Sequence, residues 1–104
     1  MNIAGQVETD LSFEEFTKTF SHSDWSTNIG RYALRLSGPL GECEFVQVQD
    51  GYLLEDGIEA ADVMVATQSL SAQLSSHGLR HRFEVYDVGD ELVLYVHHNW
   101  PLES

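Results

Sequence analysis

Apolar residues along this chain recur at helical spacing in one short stretch near the start and alternate with polar ones through most of the rest. The helical stretch opens at Leu11-Ser12-Phe13-Glu14-Glu15-Phe16. Ser12 is a natural N-cap, and Glu15, three residues on, completes a capping box. Leu11 before the cap and Phe16 in the first turn form a hydrophobic staple. Phe13, Phe16 and Phe20 then share one face, while Glu14 and Lys18 pair one turn apart on the other. This pattern predicts a helix over about residues 13–21.

A meander of strands follows. In Arg31–Leu36 the residues Tyr32, Leu34 and Leu36 point inward and Arg31 and Arg35 outward. Ser37-Gly38-Pro39-Leu40-Gly41 is a turn. The next strand, Glu42–Gln49, begins with Cys43 and Phe45 inward and Glu42 and Glu44 outward. Its apolar phase changes at Phe45-Val46, which suggests a bulge or a strand covered on both faces. Asp50-Gly51 then reads as a two-residue hairpin turn into Tyr52–Leu54.

Residues 57–67 are ambiguous. Two β-branched residues in Asp62-Val-Met-Val-Ala66 favour a strand, whereas Glu59-Ala-Ala suits a helix start. Ser69–Ser76 reads as a short helix, with Leu70 and Leu74 on one face and Gly78 as its stop. At the C-terminal end, Gly89-Asp90 suits a two-residue turn that sets Val88 opposite Glu91 and His81 opposite His98. Phe83 and Val85 would then share a face with Leu92, Leu94 and Val96, leaving Arg82, Glu84, Tyr86, Val93, Tyr95 and His97 on the other. The expected fold is α+β: one domain over residues 1–104, with an antiparallel sheet built from the meander and the C-terminal hairpin and one or two short helices on one face.

Charge adds the most to this picture. Seventeen acidic residues against five basic ones give 104 residues a formal net charge of -12. From Leu36 to Leu79 the chain has Glu42, Glu44, Asp50, Glu55, Asp56, Glu59 and Asp62 but no lysine or arginine. Such an excess disfavours direct nucleic-acid binding and anionic membranes and favours a basic protein surface as partner. The hydrophobic fraction of 42% is enough for a packed core, so the charge does not signal disorder. A lone cysteine, Cys43, the lack of a basic and apolar leader at the first residues, and the lack of a long apolar run together predict a soluble, cytoplasmic chain.

Catalytic signatures are missing from the residues. There is no Gly-x-Ser-x-Gly elbow and no Ser-x-x-Lys. The Gly38-Pro-Leu-Gly41 stretch has no lysine after it to hold a phosphate. Cys43, mid-strand and flanked by two glutamates that would hold it protonated, reads as a small core residue. No cofactor is implied. Histidines offer one alternative: His81 and His98 face each other in the hairpin register and His77 lies nearby, so the three are a candidate metal site. Trp25 reads as capping one end of the core, and Tyr86, Tyr95 and Trp100 are candidate aromatic contacts.

These features converge on a small, non-enzymatic binding protein, an inhibitor or adaptor that covers a basic site on a protein partner. The same physical description fits immunity proteins and nucleic-acid mimics. The acidic residues Glu42, Glu44, Asp50, Glu55, Asp56, Glu59 and Asp62 form the expected contact face, with Asp50, Glu55, Asp56, Glu59 and Asp62 its unneutralised centre. A homodimeric interaction domain with merely solubilising acidity is the alternative.

Overall fold

The computed structural model describes residues 2–31 and 33–100. Its seven strands are β1 (Asn2–Glu8), β2 (Ser26–Ile29), β3 (Ala33–Gly38), β4 (Gly41–Val48), β5 (Gly51–Glu59), β6 (Arg80–Tyr86) and β7 (Leu92–His98). They form one antiparallel sheet in the order β2-β3-β4-β5-β1-β6-β7. Helices α1 (Phe13–Lys18) and α2 (Val63–Ser76) cover one face, which is the α+β architecture the pattern predicts. The first strand is inserted between β5 and β6, so the meander and the C-terminal hairpin become one sheet through it. Among the described residues no helix is long and apolar enough to cross a membrane.

Helix α1 begins as its caps dictate. The Ser12 side chain accepts from Glu15 N at 3.2 Å, and Glu15 Oε1 accepts from Ser12 N at 3.3 Å. Phe16 and Phe20 are buried, and Phe16 stacks on Tyr52 of β5 with centroids 3.8 Å apart. The Tyr52 hydroxyl donates to Leu11 O at 2.9 Å, tying the start of α1 to the sheet. Leu34, Leu36, Phe45 and Phe83 from the strands meet Leu70 and Leu74 of α2 in the same core. Gly5 of β1 lies under the Phe83 ring, where a Cβ would sit 2.4 Å from Phe83 Cδ1.

The segment 57–67, open in the sequence, divides between two elements. β5 runs to Glu59, and α2 starts at Val63, six residues before the predicted Ser69. The start is set by Asp62, an N-cap whose carboxylate accepts from Val65 N at 3.1 Å. At the other end Gly78 adopts φ +69° and stops the helix as expected.

Three register details differ from the sequence reading. The β4–β5 loop is Gln49-Asp50, because Gly51 already pairs with Val48; Gly51 also pairs with Glu8 of β1, and a Cβ on it would meet Val7 O. The irregularity expected at Phe45-Val46 lies instead on β5. Glu44 pairs with Glu55 but Cys43 pairs with Ile58, so Asp56-Gly57 are looped out, both with positive φ. An uninterrupted ladder would set Asp56 opposite Cys43 on the core face; the bulge ejects it and buries Ile58 there. Val46 simply faces away from the core, opposite Leu53.

The third detail is in the C-terminal hairpin. Phe83↔Val96 and His81↔His98 pair as predicted, but the turn is wider than two residues. Asp87 Oδ1 accepts from both Gly89 N and Glu91 N, at 2.8 and 3.0 Å, and shapes it. The register shifts between Val85 and Tyr86, which places Leu92 opposite Tyr86 rather than with Leu94 and Val96 on the core face. Tyr32 of the predicted inward trio lies outside the described residues.

Candidate functional site

Among the described residues, one face of the sheet is covered by helices and the other is open. The open face takes its side chains from the alternate residues that do not enter the core. On β4 these include Glu42 and Glu44, and on β5 they include Glu55 and Glu59. Register then makes two successive like-charged pairs, Glu44↔Glu55 and Glu42↔Glu59. The ejected Asp56 joins them, held by the bulge in a left-handed backbone that aspartate tolerates better than most residues.

These five carboxylates line a surface cleft of about 240 Å³ together with Arg35, Cys43 and Gly57. Arg35 stands opposite Glu44 in the β3–β4 ladder. Ion pairs among the described residues are Lys18–Glu14, Arg80–Glu8 and Arg82–Glu84, so none of them engages the five. Cys43 contributes no nucleophile to the cleft. Its side chain is buried on the core side, and burial pushes the thiol up to about 12. That cause differs from the expected one, since Glu42 and Glu44 project from the opposite face of the sheet.

Two members of the predicted acidic set stand elsewhere. Asp62 is occupied as the α2 N-cap. Asp50 lies at the other end of β5, where it groups with Glu8 and Asp10 around a second cleft. The concentrated site is therefore Glu42, Glu44, Glu55, Asp56 and Glu59. Its decisive element, the bulge, carried a signal in the Asp56-Gly57 dipeptide, which has the same composition as the Asp50-Gly51 turn read there.

The aromatic and histidine candidates sort differently. Trp25 is 3% exposed and donates from Nε1 to Ser69 Oγ at 3.2 Å, so it is part of the core. Trp100 is half-buried against the guanidinium groups of Arg80 and Arg82, at 5.5 and 5.1 Å. Tyr86 donates to Glu84 Oε2 at 2.7 Å, and this hydrogen bond, then partial burial, raises its pKa. Tyr95 lies beside His97 with ring centroids 5.4 Å apart.

His81 is fully buried, and its ring stacks on that of His98 at 6.3 Å. Nδ1 lies 2.8 Å from Leu79 O and Nε2 lies 2.7 Å from Ser71 Oγ. A carbonyl only accepts, so Nδ1 carries the proton and the Ser71 hydroxyl donates to Nε2. Both ring nitrogens are thus engaged within the protein, and His77 sits at the exposed C-cap of α2. Among the described residues no three histidine, cysteine or acidic side chains are placed to share a metal ion.

Comparison with known proteins found no matching family model, no similar curated protein and no similar solved structure.

Proposed function

We propose that this protein is a non-enzymatic binding protein that covers a basic surface of a protein partner with the β4–β5 part of its open sheet face. One observation carries the reading. Glu44↔Glu55 and Glu42↔Glu59 set like charges directly opposite each other twice in succession. Such pairs destabilise a sheet, and selection for stability alone would not favour them. A partner that brings lysine or arginine to the cleft converts this standing repulsion into attraction. Five carboxylates against one guanidinium leave room for several such contacts.

The test is affinity capture with the full chain and with a variant in which Glu42, Glu44, Glu55 and Glu59 are all changed to glutamine. The reading expects the wild type to retain a protein with a basic surface that the variant releases. Equal capture by both chains, or a captured partner with an acidic or neutral surface, overturns it.

A further inference from the structure

The dipeptide Asp-Gly occurs twice in the chain, at Asp50-Gly51 and at Asp56-Gly57. It is the pairing at which a polypeptide most readily attacks its own side chain. Glycine has no Cβ, so nothing shields its amide nitrogen from the carboxyl carbon of the aspartate before it. The chemistry available at the two places is the same, and the surroundings differ.

Asp50-Gly51 is held on both sides. Gly51 pairs with Val48 of β4 and with Glu8 of β1, and Asp50 O accepts from Thr9 N at 3.1 Å. Turning the peptide between Asp50 and Gly51 toward the side chain would give up contacts to two neighbouring segments. Asp56-Gly57 is looped out of β5 between the fixed pairs Glu44↔Glu55 and Cys43↔Ile58, and neither residue enters a register pair with β4 or β1. Asp56 is exposed, and the two residues hold φ of +58° and +76° in succession. The backbone there turns without breaking a ladder.

We propose that Asp56-Gly57 is a site of spontaneous aspartyl isomerisation in the folded protein, and that pairing on both sides protects Asp50-Gly51 from the same reaction. Gly57 N attacks Cγ of the Asp56 carboxyl in its acid form. The new N–C bond closes a five-membered succinimide, and the amide proton leaves with the side-chain hydroxyl as water. Water then adds to the ring carbonyl that was the Asp56 main-chain carbonyl, and the bond from that carbon to Gly57 N breaks. One water is lost and one gained, with no oxidant or reductant. The main chain now runs through Cβ and Cγ and is one methylene longer, and the carboxylate hangs directly from Cα. In a continuous ladder the added methylene would break register, whereas the bulge takes it up between two pairs that stay in place. The product keeps its charge but displaces one carboxylate of the cleft lined by Glu42, Glu44, Glu55, Asp56 and Glu59. The site stands whether or not that cleft binds a basic partner.

Ageing the full chain in neutral buffer, once folded and once in guanidinium, tests the proposal. Cleavage after glutamate separates the two dipeptides, because Glu44, Glu55 and Glu59 bracket them. Isomerisation then reads as a peptide of unchanged mass and altered retention. In guanidinium the two sites are expected to react at similar rates, which calibrates their intrinsic reactivity. In the folded chain Asp56 is expected to stay within roughly tenfold of its denatured rate, and Asp50 to react at least roughly tenfold more slowly than Asp56. Equal rates at Asp50 and Asp56 in the folded chain overturn the proposal. So does a folded chain in which Asp56 is suppressed as strongly as Asp50.

Discussion

Glu44 and Glu55 stand directly opposite each other across the β4–β5 ladder, one residue pair before the sheet loops out Asp56-Gly57. Neutralising one of them removes a like-charge repulsion without disturbing the core, since both project from the uncovered face. Glu55→Gln is therefore expected to stabilise the isolated protein by about 0.5 kcal/mol. A urea titration reads this as a higher midpoint at unchanged slope. A lower midpoint would mean that Glu55 is held by a favourable contact and that the face is not in tension.

The burial of His81 makes stability depend on acid. Burial is the main cause that holds His81 below the usual histidine value, with His98 and His97 adding repulsion and the Leu79 carbonyl opposing the shift. The unfolded chain then takes up a proton at His81 more readily than the native one. Stability from this group is complete above about pH 6.5 and is lost as pH falls from there through the lowered native value. Urea midpoints measured across that interval should fall with pH for the wild type and fall less for His81→Gln. Equal slopes for the two would remove His81 from the account.

Packing at Gly5 gives a third expectation. The Phe83 ring is fully buried and lies where a Cβ at position 5 would go, 2.4 and 2.5 Å from its nearest carbons. A buried ring cannot swing clear, so Gly5→Ala should destabilise the protein by about 1–3 kcal/mol. Gly89→Ala, in the exposed turn, is the control, since its nearest neighbour would be 3.4 Å away. Similar thermal midpoints for the two variants would contradict this packing.

The sequence was most legible where local chemistry decides the structure. The Ser12–Glu15 capping box, the Phe13/Phe16 face, the alternation of Leu34 and Leu36 and the Gly78 stop all act over a few residues, although α1 ends at Lys18 rather than near residue 21 and Phe20 is buried from the turn beyond it. It was least legible where a distant element sets the outcome. The α2 N-cap was hidden because Asp62 reads as one acid among seven until the helix behind it is known. The β5 bulge depends on Ile58 finding a place in the core, and the insertion of β1 between β5 and β6 depends on Gly51 and Gly5 admitting close neighbours. The acidic site followed the same division. Alternation placed Glu42 and Glu44 on one face, but only the register brought Glu55 and Glu59 opposite them and sent Asp50 and Asp62 elsewhere.

Central to the account is the use of Glu42, Glu44, Glu55, Asp56 and Glu59 as a charged contact face, and association kinetics tests that use most directly. With the captured partner in hand, the association rate is measured by stopped flow at rising ionic strength for the wild type and for Glu44→Gln/Glu55→Gln. The account predicts a wild-type rate that falls at least roughly tenfold between about 0.01 and 0.15 M salt, with a slower and flatter profile for the variant. A rate insensitive to salt, or identical profiles for the two chains, would contradict it.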